Sequence, residues 1–248
     1  MKDCEVIEAF VEFLRARGHS GLRIDSWPEK TNHESPEIDA IAGAFAIEHT
    51  SVDTLANQRR DADWFTQVVG GLETELAISP ACRLAITLEY HAVRHGQDWP
   101  AIRRALKVWI THVVSVLADG RHVVEDIRGV PFRLHVTKAS DRPPRLSFAR
   151  YEPVDDTLSA RIRLQFDRKA HKLVKYQGAG KTTVLLVENA DIALMNAQKM
   201  LDAIRRAYPN GLPIGVDRLW YADTAIPDDI DFDDFTIMLG GSAAQQHG

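Results

Sequence analysis

Two carboxylates, Asp39 and Glu48, are spaced so that both can act on one ligand. They lie nine residues apart in the sequence, on either side of the link between Gly43 and Ala44. The runs around them, IDAI and AFAIE, are short and apolar, which is typical of strands buried on both faces. A buried carboxylate is costly unless it is paired or binds a metal. If these runs pair as an antiparallel hairpin, both acids face the same side and can hold one Mg²⁺ ion.

Hydrophobic periodicity predicts the elements that position these acids. Helices are predicted for residues 5–17, 55–76, 100–117, 158–176 and 192–208. Strands are predicted for residues 22–27, 38–41, 44–48, 83–90, 130–138, 146–151, 183–188 and 216–221. We predict a loop for the acidic tract 228–234 and a flexible tail for residues 241–248. The mixed order predicts an α/β fold, with residues 1–240 forming a single α/β domain.

The hairpin segment resembles a motif of the PD-(D/E)XK, or restriction-endonuclease-like, nuclease superfamily. In that superfamily an Asp opens the second strand and a (D/E)-x-K motif lies on the third. Here Pro36 and Asp39 stand at the first position, Glu48 matches the motif acid, and Thr50 replaces the motif lysine. The resemblance implies a core of helix, three-stranded meander, helix and strand over residues 1–95. The fourth strand is then 83–90, next to strand 44–48, with 96–240 as C-terminal α/β elaborations.

The resemblance also implies a chemistry. Asp39 and Glu48 would bind Mg²⁺ for phosphodiester hydrolysis of DNA or RNA, and Glu8 on the first helix is a candidate third ligand. The motif lysine stabilises developing negative charge, which the neutral hydroxyl of Thr50 does poorly. Two alternatives follow. Either another cation acts as the catalytic partner, with Arg59 as the candidate, or the protein is a weak or inactive nuclease relative that binds nucleic acid or protein.

The predicted helix 158–176 is rich in cations. Four of them lie away from its buried stripe, namely Arg161, Arg168, Lys172 and Lys175. Such a strip is suited to contact phosphates, and we take it as the candidate nucleic-acid-binding surface. The alternative is a solvated helix face whose cations favour the C-terminal end of the helix.

The segment GAGKTT, residues 178–183, is similar to the end of a phosphate-binding loop. In such a loop a strand comes first and a helix follows, because the helix N-terminus supplies the anion site. Here a basic helix precedes the loop and an apolar strand follows it. We therefore predict that Lys181 binds no nucleotide.

Composition indicates a soluble globular protein, with 45% hydrophobic residues, 26% charged residues and a net charge of −5. The start MKDCEVIEAF shows no secretory segment, and no run of about 20 apolar residues predicts a membrane span. Cys4 and Cys82 lie far apart in apolar contexts, as expected of reduced core residues. We therefore expect a cytoplasmic protein with no membrane association.

Overall fold

The computed structural model describes residues 3–32, 34–76, 82–113, 115–191, 194–226 and 229–240. The helices are α1 (Asp3–Ala16), α2 (Pro28–Thr31), α3 (Gln58–Val69), α4 (Leu72–Glu75), α5 (Trp99–Val113), α6 (Leu158–Gly178), α7 (Ala197–Ala207) and α8 (Phe235–Gly240). The strands are β1 (Ile24–Ser26), β2 (Ala40–Ala42), β3 (Phe45–Ser51), β4 (Arg83–Leu88), β5 (Gly120–Val124), β6 (Leu134–Ala139), β7 (Arg145–Arg150), β8 (Thr182–Asn189), β9 (Arg218–Asp223) and β10 (Asp231–Asp234). The predicted flexible tail, 241–248, lies outside the described residues.

The chain divides into two compact units. The first consists of Met1–Ala56 and Asp156–Gly248, and the second is Asn57–Asp155. In sequence the second unit is thus inserted between β3 and α6. The sequence prediction treats residues 1–240 as one domain with an internal boundary at residue 95, and that boundary falls inside the second unit.

The first unit is built on a six-stranded sheet in the order β1-β2-β3-β8-β9-β10. The strands β1, β2 and β3 form an antiparallel meander. Next to it, β3, β8 and β9 run parallel, and β10 is antiparallel to β9. Helices α6 and α7 share one apolar core with this sheet, and α1 shares another. The predicted α/β class is therefore confirmed.

The two faces of β3 are distinguished by their packing partners. Ala46 belongs to the core that contains the buried residues of α6 and α7. Ile47 belongs to the core that contains α1. Because successive side chains of a strand point to opposite faces, Glu48 and Thr50 face the α6 side, and His49 faces the α1 side.

The prediction of which strand lies beside β3 is wrong. We expected residues 83–90 beside this strand, but β3 pairs in parallel with β8, with Glu48 opposite Leu185. The segment 83–90 contributes β4, which pairs with β6 and β7 in the second unit. Both β4 and β8 are apolar strands, and apolarity predicts burial without specifying which strand lies alongside.

Two local predictions also differ from the structure. The helix predicted for residues 55–76 is interrupted between α3 and α4, where Gly71 has a positive φ of 77°. Glycine adopts that backbone conformation without a steric penalty. The acidic segment Asp231–Asp234, predicted as a loop, pairs with β9 as an edge strand. Its charged side chains hide the strand pattern, as is common at sheet edges.

The second unit has a four-stranded sheet in the order β5-β6-β4-β7. One face of this sheet is apolar and packs with α3 and α5. For example, Leu84 and Val136 of the sheet share a buried cluster with Leu106 and Ile110 of α5. Within the described part of the chain, no helix has the length and apolar character needed to cross a membrane.

Gly215, in the turn that leads into β9, allows a close approach to α6. It has a φ of +95°, and an added Cβ would lie 2.8 Å from Val174 Cγ2 and 2.9 Å from the carbonyl oxygen of Ala170. Only glycine has both the required backbone freedom and the required small volume here.

We predict that Gly215→Ala lowers the free energy of unfolding by about 2–4 kcal/mol, since overpacking adds to backbone strain. Gly211→Ala is the matched control, because Gly211 has a φ of +110° and no atom within 4 Å of an added Cβ. The free energy of unfolding of the control should fall by only about 1 kcal/mol, because backbone strain is the single cost there. Urea denaturation of both variants measures the difference, and equal losses would contradict the role of close packing.

Candidate functional site

Asp39 and Glu48 are brought together by the β2–β3 hairpin. In this hairpin Ala40 is opposite Ile47, so the register continued by one residue places Asp39 opposite Glu48. The backbone N–H of His49 donates to Asp39 Oδ2 at 2.7 Å, which fixes the aspartate at the strand end. This register places the two carboxylates on neighbouring strands and on the same side of the sheet, as the sequence predicts.

Glu48 is completely buried and is held by two lysines of α6. Its Oε1 atom accepts hydrogen bonds from Lys169 Nζ at 2.5 Å and lies 3.0 Å from Lys172 Nζ. Both lysine side chains are largely shielded, with 16% and 15% exposure. Across the described residues, Glu48 Oε2 has no hydrogen-bond partner. One carboxylate oxygen therefore lies beside two ammonium groups, and no described residue hydrogen-bonds the other.

Lys169 lies in the middle of the buried stripe of α6. It follows Ile162 by seven residues and precedes Leu173 by four, and both of those residues are fully buried. With 3.6 residues per turn, these spacings place all three on one helix face. Its long apolar stem covers the sheet, while its ammonium group reaches Glu48.

The same helix also reaches Thr50. Gln165, four residues before Lys169, donates from Nε2 to Thr50 Oγ1 at 2.7 Å. The position at which the motif lysine is expected is therefore occupied by a hydroxyl that hydrogen-bonds α6. The cation itself comes from the adjacent helical turn.

A third carboxylate, Glu29 of α2, adjoins Asp39. Burial raises the pKa of Asp39 to about 8, and the hydrogen bond with Glu29 and the charge of Glu48 act in the same direction. That hydrogen bond to Asp39 is the main reason why the pKa of Glu29 is lowered. At neutral pH, Asp39 therefore carries a proton that it shares with Glu29.

The cluster borders a cavity of about 710 Å³ within the first unit. Its lining includes Glu29, Asn32, Glu37, Arg168, Lys169, His171 and Lys172. A volume of this size lies in the range of small-molecule and cofactor sites. Glu29, Lys169 and Lys172 therefore line a space that a ligand can enter, whereas Asp39 and Glu48 are not among the lining residues.

Two predicted site residues lie on elements other than those that form this cluster. Glu8 is exposed on α1, which packs on the opposite face of the sheet from Glu48. Arg59 is exposed on α3, in the second unit. The structure offers Glu29 as the third carboxylate and Lys169 as the cation instead.

The four cations of the predicted phosphate strip have different surroundings. Arg161 donates to the carbonyl oxygens of Asp53 and Thr54, at 2.9 and 2.7 Å. Lys172 faces Glu48, as described above. Lys175 pairs with Glu37 at 2.6 Å. Arg168 is exposed and lines the cavity. Of the four, Arg168 is thus the residue placed to meet a ligand from solvent.

The order helix, loop, strand predicted for the GAGKTT segment is confirmed, since α6 ends at Gly178 and β8 begins at Thr182. Lys181 Nζ donates to the carbonyl oxygen of Gly43 at 2.6 Å and so joins the loop to the hairpin. The positive φ of this turn belongs to Gly180, at 77°. That the segment binds no nucleotide stays a prediction.

The donor atoms suit a hard divalent cation, although no three His, Cys, Asp or Glu side chains in the described ranges form a ready metal site. Glu48 Oε2 is buried without a hydrogen-bond partner among the described residues, Asp39 feels the charge of Glu48, and Glu29 hydrogen-bonds Asp39. Mg²⁺ prefers such oxygen ligands. A divalent cation would satisfy Oε2 and displace the proton shared by Asp39 and Glu29, because ligands bind metals in their deprotonated form.

Lys169, Gln165 and Glu29 are the site residues that the sequence reasoning missed. The signal for Lys169 was present, because a lysine in the centre of an apolar helix stripe requires a buried acid. No protein-family model, curated protein or solved structure matches the chain. The chemistry of the site therefore carries the functional inference.

We predict that Asp39→Asn stabilises the metal-free protein at pH 8 by about 1–3 kcal/mol, a gain that disappears towards pH 4. In wild type, the raised pKa of Asp39 means that the folded chain keeps a proton that the unfolded chain has lost above pH 4. Stability is therefore lost as the pH rises towards about 8. The lowered pKa of Glu29 offsets part of this loss.

Urea melts in EDTA between pH 4 and pH 8.5 measure this difference. A variant that is less stable than wild type at every pH would show that Asp39 is an ionised structural group. In that case, the pKa of Asp39 is not raised by its neighbours.

Proposed function

We propose that the first unit is a metal-dependent phosphodiesterase acting on nucleic acid, with a restriction-endonuclease-like core. The order α1, β1–β2–β3, α6, β8 supports this proposal, because it repeats the helix, meander, helix and strand that the resemblance implies. The fourth strand is then β8 in place of residues 83–90. The second unit is an insertion between the third strand and the second core helix.

The observation that carries the proposal is the ammonium group of Lys169 beside Glu48. Their 2.5 Å contact places a cation next to the motif carboxylate even though β3 itself has Thr50 at the lysine position. Gln165 holds Thr50 from the same helix. In this proposal, Lys169 of α6 supplies the ammonium group that the motif lysine of the strand would supply at position 50. Arg59 is not needed for this role.

Asp39, Glu48 and Glu29 are the residues that would hold the metal ion. When bound, Mg²⁺ supplies a water of lowered pKa and neutralises charge on the phosphate. Lys169 holds its ammonium group close to the reacting phosphate and stabilises the negative charge that develops there. Lys172 Nζ lies 3.0 Å from Glu48 Oε1 and helps to orient this carboxylate. Asp39 must release its proton to become a ligand. Arg168, at the cavity lining, provides a contact for a neighbouring backbone phosphate.

A second function is favoured by one specific observation. Glu48 contacts two ammonium groups, so its charge is already balanced without a metal ion. A buried carboxylate in a structural role is paired in this way. The alternative is therefore a non-catalytic module that kept the sheet and binds nucleic acid or protein. The two functions differ in whether a divalent ion enters the cluster.

We predict Mg²⁺-dependent cleavage of labelled DNA or RNA by the purified full chain. Glu48→Gln should abolish this cleavage, and Lys169→Gln should slow it by about 10²–10³-fold, the usual effect of losing one charge-stabilising donor. Lys199→Gln is the matched control, because Lys199 is a lysine of the first unit whose Nζ donates to the carbonyl oxygen of Leu194 at 2.8 Å. This control should cleave at the wild-type rate.

The assay uses single-stranded and duplex DNA and RNA, with Mg²⁺, with Mn²⁺ and with EDTA. Cleavage that persists unchanged in Lys169→Gln would rule out the proposed role of α6. If no substrate is cleaved under any condition, the non-catalytic alternative holds.

Metal binding is tested separately from cleavage by thermal or urea unfolding. For a dissociation constant near 0.1 mM, 10 mM Mg²⁺ should raise the free energy of unfolding of wild type by about 2.7 kcal/mol. The gain should be absent in Asp39→Asn, since the variant lacks one charged ligand. Equal behaviour of wild type and variant would indicate a salt-bridged scaffold without a metal site.

A further inference from the structure

The sheet of the second unit has an open face. Its side chains alternate between an apolar face, which packs with α3 and α5, and a second face of mostly small or polar residues. Arg83, Arg121 and Arg145 on this second face are exposed, and Val123, one side-chain row from Arg121 on β5, is 58% exposed. Side chains of adjoining strands therefore present a continuous surface to solvent.

This open face is positively charged. Its strand positions carry Arg83, Arg121 and Arg145 and no Asp or Glu. An acid, Glu89, lies directly after β4, and its Oε1 atom is 3.5 Å from His135 Nε2. Among the described residues, no ion pair is formed by any of these guanidinium groups. Arg83 is directly opposite Arg145 in the parallel β4–β7 pairing, where like charges repel. An anion bound between them would relieve that repulsion.

The pairing register sets the spacing of the three cations. Arg121 is opposite Thr137, and Thr137 is opposite Ala85, so Arg121 lies two strands and one side-chain row from Arg83. With strands about 4.8 Å apart, the cations span on the order of 15 Å across the sheet. That span is suited to several successive phosphates of one strand.

An aromatic pair lies near Arg121, at the opposite end of β4 and β7 from Arg83 and Arg145. The rings of His135 and Tyr151 are 4.9 Å apart and nearly perpendicular, and Tyr151 is 45% exposed. Together with Arg121 and Val123, they line a cavity of about 540 Å³. Val123 is opposite His135 in the sheet, so the cavity adjoins the open face.

We propose that this face binds a single strand of nucleic acid, with phosphates on the three arginines and a base in the cavity against Tyr151. Cations that follow a backbone, combined with an exposed aromatic ring for stacking, are the two features by which proteins hold single strands. A duplex keeps its bases stacked inside and offers none to Tyr151. This inference concerns the second unit by itself and does not depend on the catalysis proposed for the first.

The test is fluorescence anisotropy of a labelled 12-nucleotide oligothymidylate with the full chain in EDTA, where metal-dependent cleavage cannot interfere. Three phosphate contacts predict that log K falls with log salt with a slope of about −2, at about −0.7 per contact for single strands. Arg83→Gln, Arg121→Gln and Arg145→Gln should each weaken binding severalfold and reduce that slope by about 0.7. Arg104→Gln is the matched control, because Arg104 is an exposed arginine on α5 of the same unit.

Stacking is tested by a second pair of variants. Tyr151→Ala should weaken binding about tenfold, and Tyr151→Phe should bind as wild type does, because the ring is retained. Circular dichroism melts confirm that each variant is folded.

Three outcomes would overturn the proposal. The first is unchanged binding in all three arginine variants. The second is an equal loss in Arg104→Gln, which would show a general effect of net charge. The third is tighter binding to a 12-base-pair duplex, or to vesicles containing phosphatidylserine, than to the oligothymidylate.

Discussion

The first unit depends on a carboxylate that has no contact with water. Glu48 lies on β3, between β2 and β8, and faces the helix that covers this side of the sheet. A buried charge of this kind is tolerated only with partners, and removing one partner of such a pair typically costs about 3–5 kcal/mol. Lys169 and Lys172 must therefore point at β3, which restricts the rotation of α6 about its axis.

That restriction positions other groups on the same helix. With α6 turned so that Lys169 meets Glu48, Gln165 reaches Thr50 one helical turn earlier. Arg161, a further turn earlier, reaches the carbonyl oxygens of Asp53 and Thr54. One helix face thus hydrogen-bonds β3 and the segment that follows it. A shift of α6 by one residue would rotate these groups by about 100° and separate all of them from their partners.

The sequence predicted helices and strands better than it predicted which strands pair with each other. Periodicity identified α1, α6, β3 and β8, and pairing the two apolar runs as an antiparallel hairpin placed Asp39 and Glu48 on one face. Periodicity did not identify β8 as the neighbour of β3. The second unit is inserted between these strands, and such an insertion does not change the residue pattern of either strand. The sequence prediction missed Lys169 for a different reason. The prediction grouped the cations of α6 by their distance from the buried stripe, whereas the acid in the sheet required one inside that stripe.

The insertion also separates in time two strands that are neighbours in space. About 130 residues lie between the end of β3 and the start of β8. At a synthesis rate of about 5–20 residues per second, a ribosome needs roughly 6–26 s to make them. For that period the hairpin has been made without β8 at its edge, and for most of it neither Lys169 nor Lys172 has been made to pair with Glu48. The second unit is complete before α6 emerges, so its folding can proceed while β3 still lacks its partner strand.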